Sequence, residues 1–320
     1  MPGFVTHYLF GVNVFQGLPN GSIKKNLRKN HAAFALGLQG PDVFFYYLPS
    51  YLLHQKNLGA LAHDHATDRF FSALLESRNL FAGDPVYLGI ADAYLTGFMG
   101  HYTLDCLVHP YVYAFTNMDP ANKPKDVEYF GQHAYFETEL DNVLLYRFKH
   151  IYPSQFHQNA TIHLNQLQKH VISEMLTYAY HNTFPEYHVT KTQVRHATQW
   201  MKIGTRLLRD PSGQKKVLVR FLEKIAINRP FISAMLPSDS FHFVPDPLNL
   251  SRRFWQHPWT GKSSREGFFD LYKKALRLYR TRIHLYYDSI RDGYTPESLK
   301  KLQDHYGGRS FLSGLPLNLP

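Results

Sequence analysis

Three side chains suited to metal binding follow one another along residues 97–111. His101, Asp105 and His109 are each separated by four residues. A step of four residues turns an α-helix by about 400°, so the three side chains lie on one helical face. Imidazole nitrogens and carboxylate oxygens bind zinc and similar metals in proteins. The spacing therefore predicts a helix with a metal-binding face.

His133 and Glu137 have the same interval and are also expected to share one face of a helix. Such a pair is also common as a surface hydrogen bond, so it does not indicate a metal by itself. Asp141 extends this face, but it fits equally well as a helix cap or as a partner of Arg147 or Lys149.

Earlier positions in the chain are ambiguous when taken singly. His7 lies in an apolar stretch and fits a buried core histidine, whereas Asp42 follows Gly40-Pro41 and fits a turn on a loop. His63 and His65 fit polar positions at a helix terminus. Because these nitrogen and oxygen ligands all fall within residues 1–141, the set as a whole favours a metal site.

Composition limits the kind of protein and the kind of site. An apolar content of 44% and an aromatic content of 15% indicate a globular chain. The single Cys106 excludes an intrachain disulfide framework and a thiolate-rich zinc site. The net charge of +10 favours anionic partners such as phosphates, nucleic acid or a membrane surface, and it also fits a basic solvated surface.

No segment is expected to cross a membrane. The longest apolar run, around residues 87–99, is broken by Asp92 and is shorter than the ~20 residues that a spanning helix needs. The N-terminal stretch has no basic region, since the first lysine is Lys24, and His7 interrupts its apolar residues. We therefore expect no signal peptide and a cytoplasmic location.

Apolar spacing predicts helices throughout the first half. Helices are expected over residues 1–17, 31–38 and 60–80, with a polar connection at 18–30. Asp84 is a predicted N-cap with Pro85 at the first helical position. The helix that they begin is expected to end near His109, because Pro110 disfavours a helical residue before it. Another helix is predicted over 127–149.

The second half continues in helical register over residues 160–183, 190–209 and 213–228. Residues 236–262 are predicted to be irregular, and a capping box at residues 263–266 is expected to begin a helix that ends near Ile290. The fold class is all-α, as a single domain over 1–320. Residues 1–150 build the metal site, the helical part 155–305 completes the pocket, and 306–320 form an extended tail.

Several motifs together resemble the zinc-dependent phospholipase C family, which is related to the zinc-dependent single-strand nucleases. They fall within residues 1–141 in the order typical of that family. The motifs are the following: Met1-Pro-Gly-Phe-Val-Thr-His7, Gly40-Pro-Asp42-Val-Phe-Phe-Tyr, His63-x-x-x-Thr67, Gly100-His101-Tyr-x-x-Asp105-x-x-x-His109-Pro-Tyr and His133-x-x-x-Glu137.

The resemblance implies an all-α fold with two or three zinc ions per chain. It assigns the ligands to three ions as follows: Asp42, His63, His101 and Asp105 to one; His109, His133 and Glu137 to a second; His7, with Asp105 as a bridge, to a third. Relatives complete the third site with the N-terminal amine, for which Pro2 is the candidate here. His63 is preferred over His65 because Thr67 lies four residues after it.

The implied chemistry is hydrolysis of a phosphodiester. Three zinc ions would bring more positive charge than the carboxylates of Asp42, Asp105 and Glu137 neutralise, which suits the charge that phosphoryl oxygens gain in the transition state. Zinc ions can lower the pKa of a shared water to roughly 7, and Asp42 would orient or deprotonate that water. The expected substrate is a phospholipid or related phosphodiester, with nucleic acid less favoured.

Two other interpretations stay open. One is a non-catalytic zinc-binding protein of the same fold that associates with an anionic membrane surface. The other is an HD-type metal phosphohydrolase, in which His63 and Asp64 would form the histidine–aspartate pair. Its remaining ligands would be His31 or His54 before the pair and Asp105 or Asp141 after it.

Overall fold

A computed structural model describes residues 3–120, 127–239 and 244–317. The all-α prediction is confirmed, because helices dominate these residues and the strands among them consist of one short antiparallel pair. The α-helices are α1 Phe4–Gly17, α2 Ser22–Lys29, α3 His31–Gly37, α4 Leu48–Leu52, α5 Leu58–Asp64, α6 Thr67–Glu76, α7 Pro85–Phe115, α8 Val127–Lys149, α9 Gln158–Thr161, α10 Gln166–Thr183, α11 Lys191–Leu207, α12 Gln214–Ala226, α13 Ile232–Met235, α14 Phe268–Arg291 and α15 Pro296–Tyr306. Short 3₁₀ helices span Gly40–Tyr46, Ser77–Phe81, Pro153–Gln155 and Pro185–Tyr187, and the strands are β1 Trp255–Gln256 and β2 Ser263–Ser264.

The fold is built around α7, a helix of 31 residues. Helices α1, α3, α10 and α14 pack against it, and almost all of its side chains from Ile90 onward are buried. Burial on all sides follows from a sequence that is apolar around the whole helix. Asp84 caps the helix as predicted, since its Oδ1 accepts the backbone N–H groups of Val86 and Tyr87.

The predicted end of this helix at His109 is wrong. Helix α7 continues through Pro110 to Phe115. The proline removes only one hydrogen bond, the one that would reach the carbonyl of Cys106 four residues earlier. The buried side chains on both sides of Pro110 hold the following turn in place, so packing outweighs the local preference. His109 therefore lies inside the helix.

Other boundaries also differ from the predictions. Helix α2 forms within residues 18–30, which were expected to be a connection, and Asp42 lies in a 3₁₀ helix instead of a loop. Ser263–Ser264 form strand β2, paired with β1, and do not cap a helix. Helix α14 begins after Gly267, whose N–H donates to the carboxylate of Asp270.

The C-terminal segment 307–317, which we call the tail, folds back onto the protein. Arg309 pairs with Pro316 as an isolated bridge, and the Phe311 side chain is buried. The Tyr102 hydroxyl donates to the Arg309 carbonyl at 2.7 Å and accepts from its N–H, also at 2.7 Å. The expected extended arm is thus a packed element against α7, and Tyr306 belongs to α15. The single-domain organisation stays a prediction.

Within the described ranges, no helix combines the length and the apolar character required to cross a bilayer.

Candidate metal centre

The structure gathers the predicted ligands into three neighbouring groups. Within each group the potential ligand atoms lie within 4.8 Å of one another. Helices α1, α5, α7 and α8 and the 3₁₀ helix Gly40–Tyr46 contribute the residues. The groups are His7, His101 and Asp105; Asp42, His63 and His101; and His109, His133 and Glu137.

Asp105 lies at the junction of the first two groups and is fully buried. Its Oδ1 is 3.1 Å from His7 Nε2. Its Oδ2 is 3.1 Å from His101 Nε2 and 3.6 Å from His63 Nε2. The two oxygens of one carboxylate therefore face different imidazoles, as expected of a residue between two metal positions.

Asp42 approaches the same centre from the 3₁₀ helix Gly40–Tyr46. Its Oδ1 is 3.3 Å from His63 Nε2 and 3.7 Å from His101 Nε2. Gly40 allows this approach, because its φ is 51° and a Cβ there would overlap the imidazole of His101. Asp42 is thus held at the edge of the site by a backbone conformation that favours glycine.

The third group joins α7 to α8. His133 Nε2 lies 2.8 Å from Glu137 Oε1, and the ring centroids of His109 and His133 are 6.1 Å apart. His109 is fully buried, whereas the side chains of His133 and Glu137 are 12% and 11% exposed. The third group is therefore slightly more exposed than the other two.

Backbone carbonyl groups orient three of the imidazoles. In each case Nδ1 must be the donor because a carbonyl oxygen can only accept, so Nε2 is the nitrogen that faces the other candidate ligands. The pairs are His63 Nδ1 with Gly59 O at 2.7 Å, His101 Nδ1 with Leu38 O at 3.2 Å and His109 Nδ1 with Phe311 O at 2.6 Å.

Several buried ligand atoms lack a hydrogen-bond partner among the described residues. They include both oxygens of Asp105, Oδ1 of Asp42, both ring nitrogens of His7 and Nε2 of His109. Unpaired buried polar atoms are costly, and a cation bound between them would satisfy them. This set of imidazole and carboxylate donors fits zinc.

The local electrostatics also favour a bound cation. Burial raises the pKa of Asp105, but the imidazoles of His101, His109 and His7 lower it by more, so the pKa lies well below its usual range. Burial lowers the pKa of His63, yet the carboxylates of Asp105 and Asp42 raise it to about 10. Burial also lowers the pKa of His7, which favours the neutral imidazole that a metal requires.

Asp141 holds the helix that carries His7. Its Oδ2 accepts the N–H of Val5 at 2.9 Å, and its Oδ1 accepts the N–H and the hydroxyl of Thr6 at 2.8 and 2.6 Å. The carboxylate thus satisfies free N–H groups at the start of α1. Asp141 thus acts as a helix cap, which was one of its predicted roles, but the helix that it caps is α1 and not its own helix α8.

Burial distinguishes between the alternative ligands that the sequence left open. His63 is buried within the second group, whereas His65 is exposed. Asp64, His31 and His54 are also exposed, so an HD-type site around His63 and Asp64 is not assembled. Pro2, the candidate N-terminal ligand, lies outside the described residues.

The carbonyl of Phe311 was missed by sequence reasoning. Every residue has a carbonyl, so no sequence pattern marks this one, and Phe311 is 202 positions from the histidine that it orients. Its ring also packs against His63, with centroids 4.7 Å apart. The tail is therefore part of the centre.

Fold and site together define a helical protein with a candidate centre for more than one metal ion, built from imidazole and carboxylate groups. Residues 6–187 match the zinc dependent phospholipase C family, and this match covers more than half of the chain. The protein therefore belongs to the zinc-dependent phospholipase C family. The matched segment includes all eight candidate ligands. No match was found among the curated proteins or the solved structures.

Proposed function

We propose that this protein is a zinc-dependent phosphodiester hydrolase whose substrate is a phospholipid or a related phosphodiester. The observation that carries the proposal is Asp105, whose two oxygens face different imidazoles in a buried site. Such a bridging carboxylate is expected where two metal ions act on one phosphodiester. Family membership supports the same chemistry.

In this proposal the eight candidate ligands hold two or three zinc ions. They are His7, Asp42, His63, His101, Asp105, His109, His133 and Glu137. Zinc, when bound, would supply positive charge for the phosphoryl oxygens and make water more acidic. Asp42 would also take up the proton from the attacking water, because its side chain is at the edge of the centre and its Oδ1 accepts no hydrogen bond from the described residues.

Aromatic side chains beside the third group support an organic phosphodiester as the substrate. The ring of Tyr113 lies 4.9 Å from the ring of His133, and Trp259 lies 5.3 Å from Tyr113. These rings offer an apolar surface next to the more exposed side of the centre. A substrate with an apolar or cationic group near its phosphate would contact them.

The test combines metal content with turnover. Purified protein should contain two or three zinc ions per chain and should hydrolyse a chromogenic phosphodiester, with loss of activity after chelation. Asp105→Asn should lose both zinc and activity. Asp92→Asn is a matched control, because Asp92 is a buried aspartate of the same helix that pairs with Arg78 away from the centre.

The control variant should lose stability but keep its zinc. A chain that binds no zinc would overturn the whole proposal. Stoichiometric zinc without turnover on phospholipid, nucleotide and small phosphodiester substrates would remove its enzymatic part and leave a zinc-binding protein of the same fold.

A further inference from the structure

Helix α12 exposes an apolar stripe to solvent. Positions 217, 218, 221, 222 and 225 fall on one side of the helix, since they span an arc of about 140°. A stripe of this kind normally faces a protein core. Here its members are largely exposed: Val217 71%, Leu218 58%, Phe221 59%, Leu222 54% and Ile225 70%.

Polar contacts determine which side of α12 faces the protein. Glu223 is buried, and its carboxylate accepts the N–H of Ile232 at 2.5 Å and the N–H and hydroxyl of Ser233 at 3.1 and 2.5 Å. Buried Asp210 accepts the N–H of Lys216 at 2.8 Å at the start of the helix. Rolling α12 to bury its apolar stripe would break the contacts of Glu223, so this orientation is specified by the sequence.

Basic side chains border the stripe. On a helical projection Arg220 and Lys224 lie along one edge, and Lys215 lies along the other. Arg220 and Lys224 are exposed. Lys215 joins α12 to the end of α11, because its Nζ donates to the carbonyl of Leu207 at 2.7 Å. Leu207 is itself 64% exposed and extends the apolar surface.

We propose that α12 is an interfacial helix that docks the protein on an anionic phospholipid bilayer. An apolar stripe with flanking lysine and arginine is the pattern of helices that lie in the headgroup region. Anionic headgroups would pair with Arg220 and Lys224, and the net charge of +10 adds attraction at longer range. A second copy of the chain docked on the stripe would instead bring these cations close to one another.

The docking helix packs against the outer face of α8. Lys216 Nζ is 5.0 Å from the ring centroid of Tyr135. Tyr135 is about 160–200° around α8 from His133 and Glu137, so α8 lies between α12 and the candidate metal centre. The inference does not depend on hydrolysis, because docking is measured without turnover.

The experiment is vesicle sedimentation of the full chain. Vesicles of phosphatidylcholine with about a third phosphatidylserine should carry the protein down at 0.1 M salt. Binding should be much weaker on pure phosphatidylcholine or at 1 M salt, where the Debye length falls from ~10 to ~3 Å. Arg220→Gln with Lys224→Gln should weaken binding about 30-fold, and Phe221→Ser with Leu222→Ser about tenfold or more.

Leu80→Ser is the matched control, since Leu80 is 50% exposed and precedes the start of α7, roughly 36 Å along that helix from His109. It should bind vesicles like the unmodified chain. All variants should hydrolyse a water-soluble phosphodiester equally, which separates failure of docking from failure of the proposed function.

The docking inference is overturned if the unmodified chain does not sediment with anionic vesicles. Equal binding to neutral vesicles would overturn the role of the basic border. The docking inference is also overturned if the double variant Phe221→Ser with Leu222→Ser converts a dimer to a monomer in analytical ultracentrifugation and leaves vesicle binding unchanged. The apolar stripe would then be an interface between copies of the chain.

Discussion

The dependence of His109 on the tail can be tested with a single added methyl group. Gly314 has a φ of 65° and packs against the carbonyl oxygen of Cys106, so a Cβ at this position would overlap that oxygen. Gly314→Ala must therefore move the tail away from α7. The Phe311 carbonyl oxygen, which is 2.6 Å from His109 Nδ1 in the unmodified chain, would then lose this hydrogen bond. Loss of such an orienting acceptor typically lowers metal affinity 10–100-fold, or about 1.4–2.7 kcal/mol.

The assay is a competition titration with a chromophoric zinc chelator, which resolves the affinity of each site. Gly307→Ala is the matched control, because its φ is 64° but the nearest atom to a Cβ there is 3.7 Å away. Both variants introduce a left-handed alanine at a cost of about 1–2 kcal/mol. Only Gly314→Ala should also lose zinc affinity, and most strongly at the site that contains His109. Equal affinities in the two variants would refute the role of the tail.

Three further predictions concern the supports of the centre. Asp141→Asn should destabilise the protein in urea by about 1–3 kcal/mol and weaken zinc binding near His7, because one acceptor oxygen becomes an N–H₂ group facing the start of α1. Asp246→Asn is the control, because this partly exposed carboxylate accepts a similar set of hydrogen bonds, from the N–H of Leu250 and from the N–H and hydroxyl of Ser251; an equal loss of stability and zinc there would contradict the argument. Chelation should lower the melting temperature, since zinc at 100 times its Kd adds about 2.7 kcal/mol per site, and an unchanged melting temperature would argue against a metal in the folded state. Arg282→Met should lower the free energy of unfolding by about 2–4 kcal/mol, because the buried guanidinium donates to Thr103 Oγ1 at 2.7 Å and lies 3.9 Å from the Tyr306 ring. Its zinc content should be unchanged, and a loss of zinc would show that Arg282 supports the centre directly.

Local rules succeeded where neighbours along the chain decide the geometry. The interval of four residues places His101 and Asp105 on one face of α7, and their facing atoms are 3.1 Å apart. Asp84 caps α7 because its side chain reaches the next N–H groups of the same segment. These interactions span a few residues, so the order of residue types is sufficient to predict them.

Local rules failed at two positions for different reasons. Pro110 was expected to end α7, but the helix continues through it because buried packing against other elements outweighs the local preference. Ser263 was expected to begin a helix, but it is exposed and pairs with Gln256, seven positions earlier, in a short hairpin. Residues 263–266 carry a capping signal, and the choice between a cap and a hairpin depended on how the neighbouring segment folds.

The sequence by itself determined the all-α class and the face of α7 that carries His101, Asp105 and His109, because helical periodicity is a local property. Its resemblance to the zinc-dependent phospholipase C family supplied the set of eight candidate ligands. Only the tertiary structure decided which ligands meet, that Asp105 divides its two oxygens between different imidazoles, and that His63 and not His65 is buried with them. It also placed the carbonyl of Phe311 on His109. These features depend on distances between segments far apart in the chain, which are set by how the helices pack and not by the spacing of residues within any one of them.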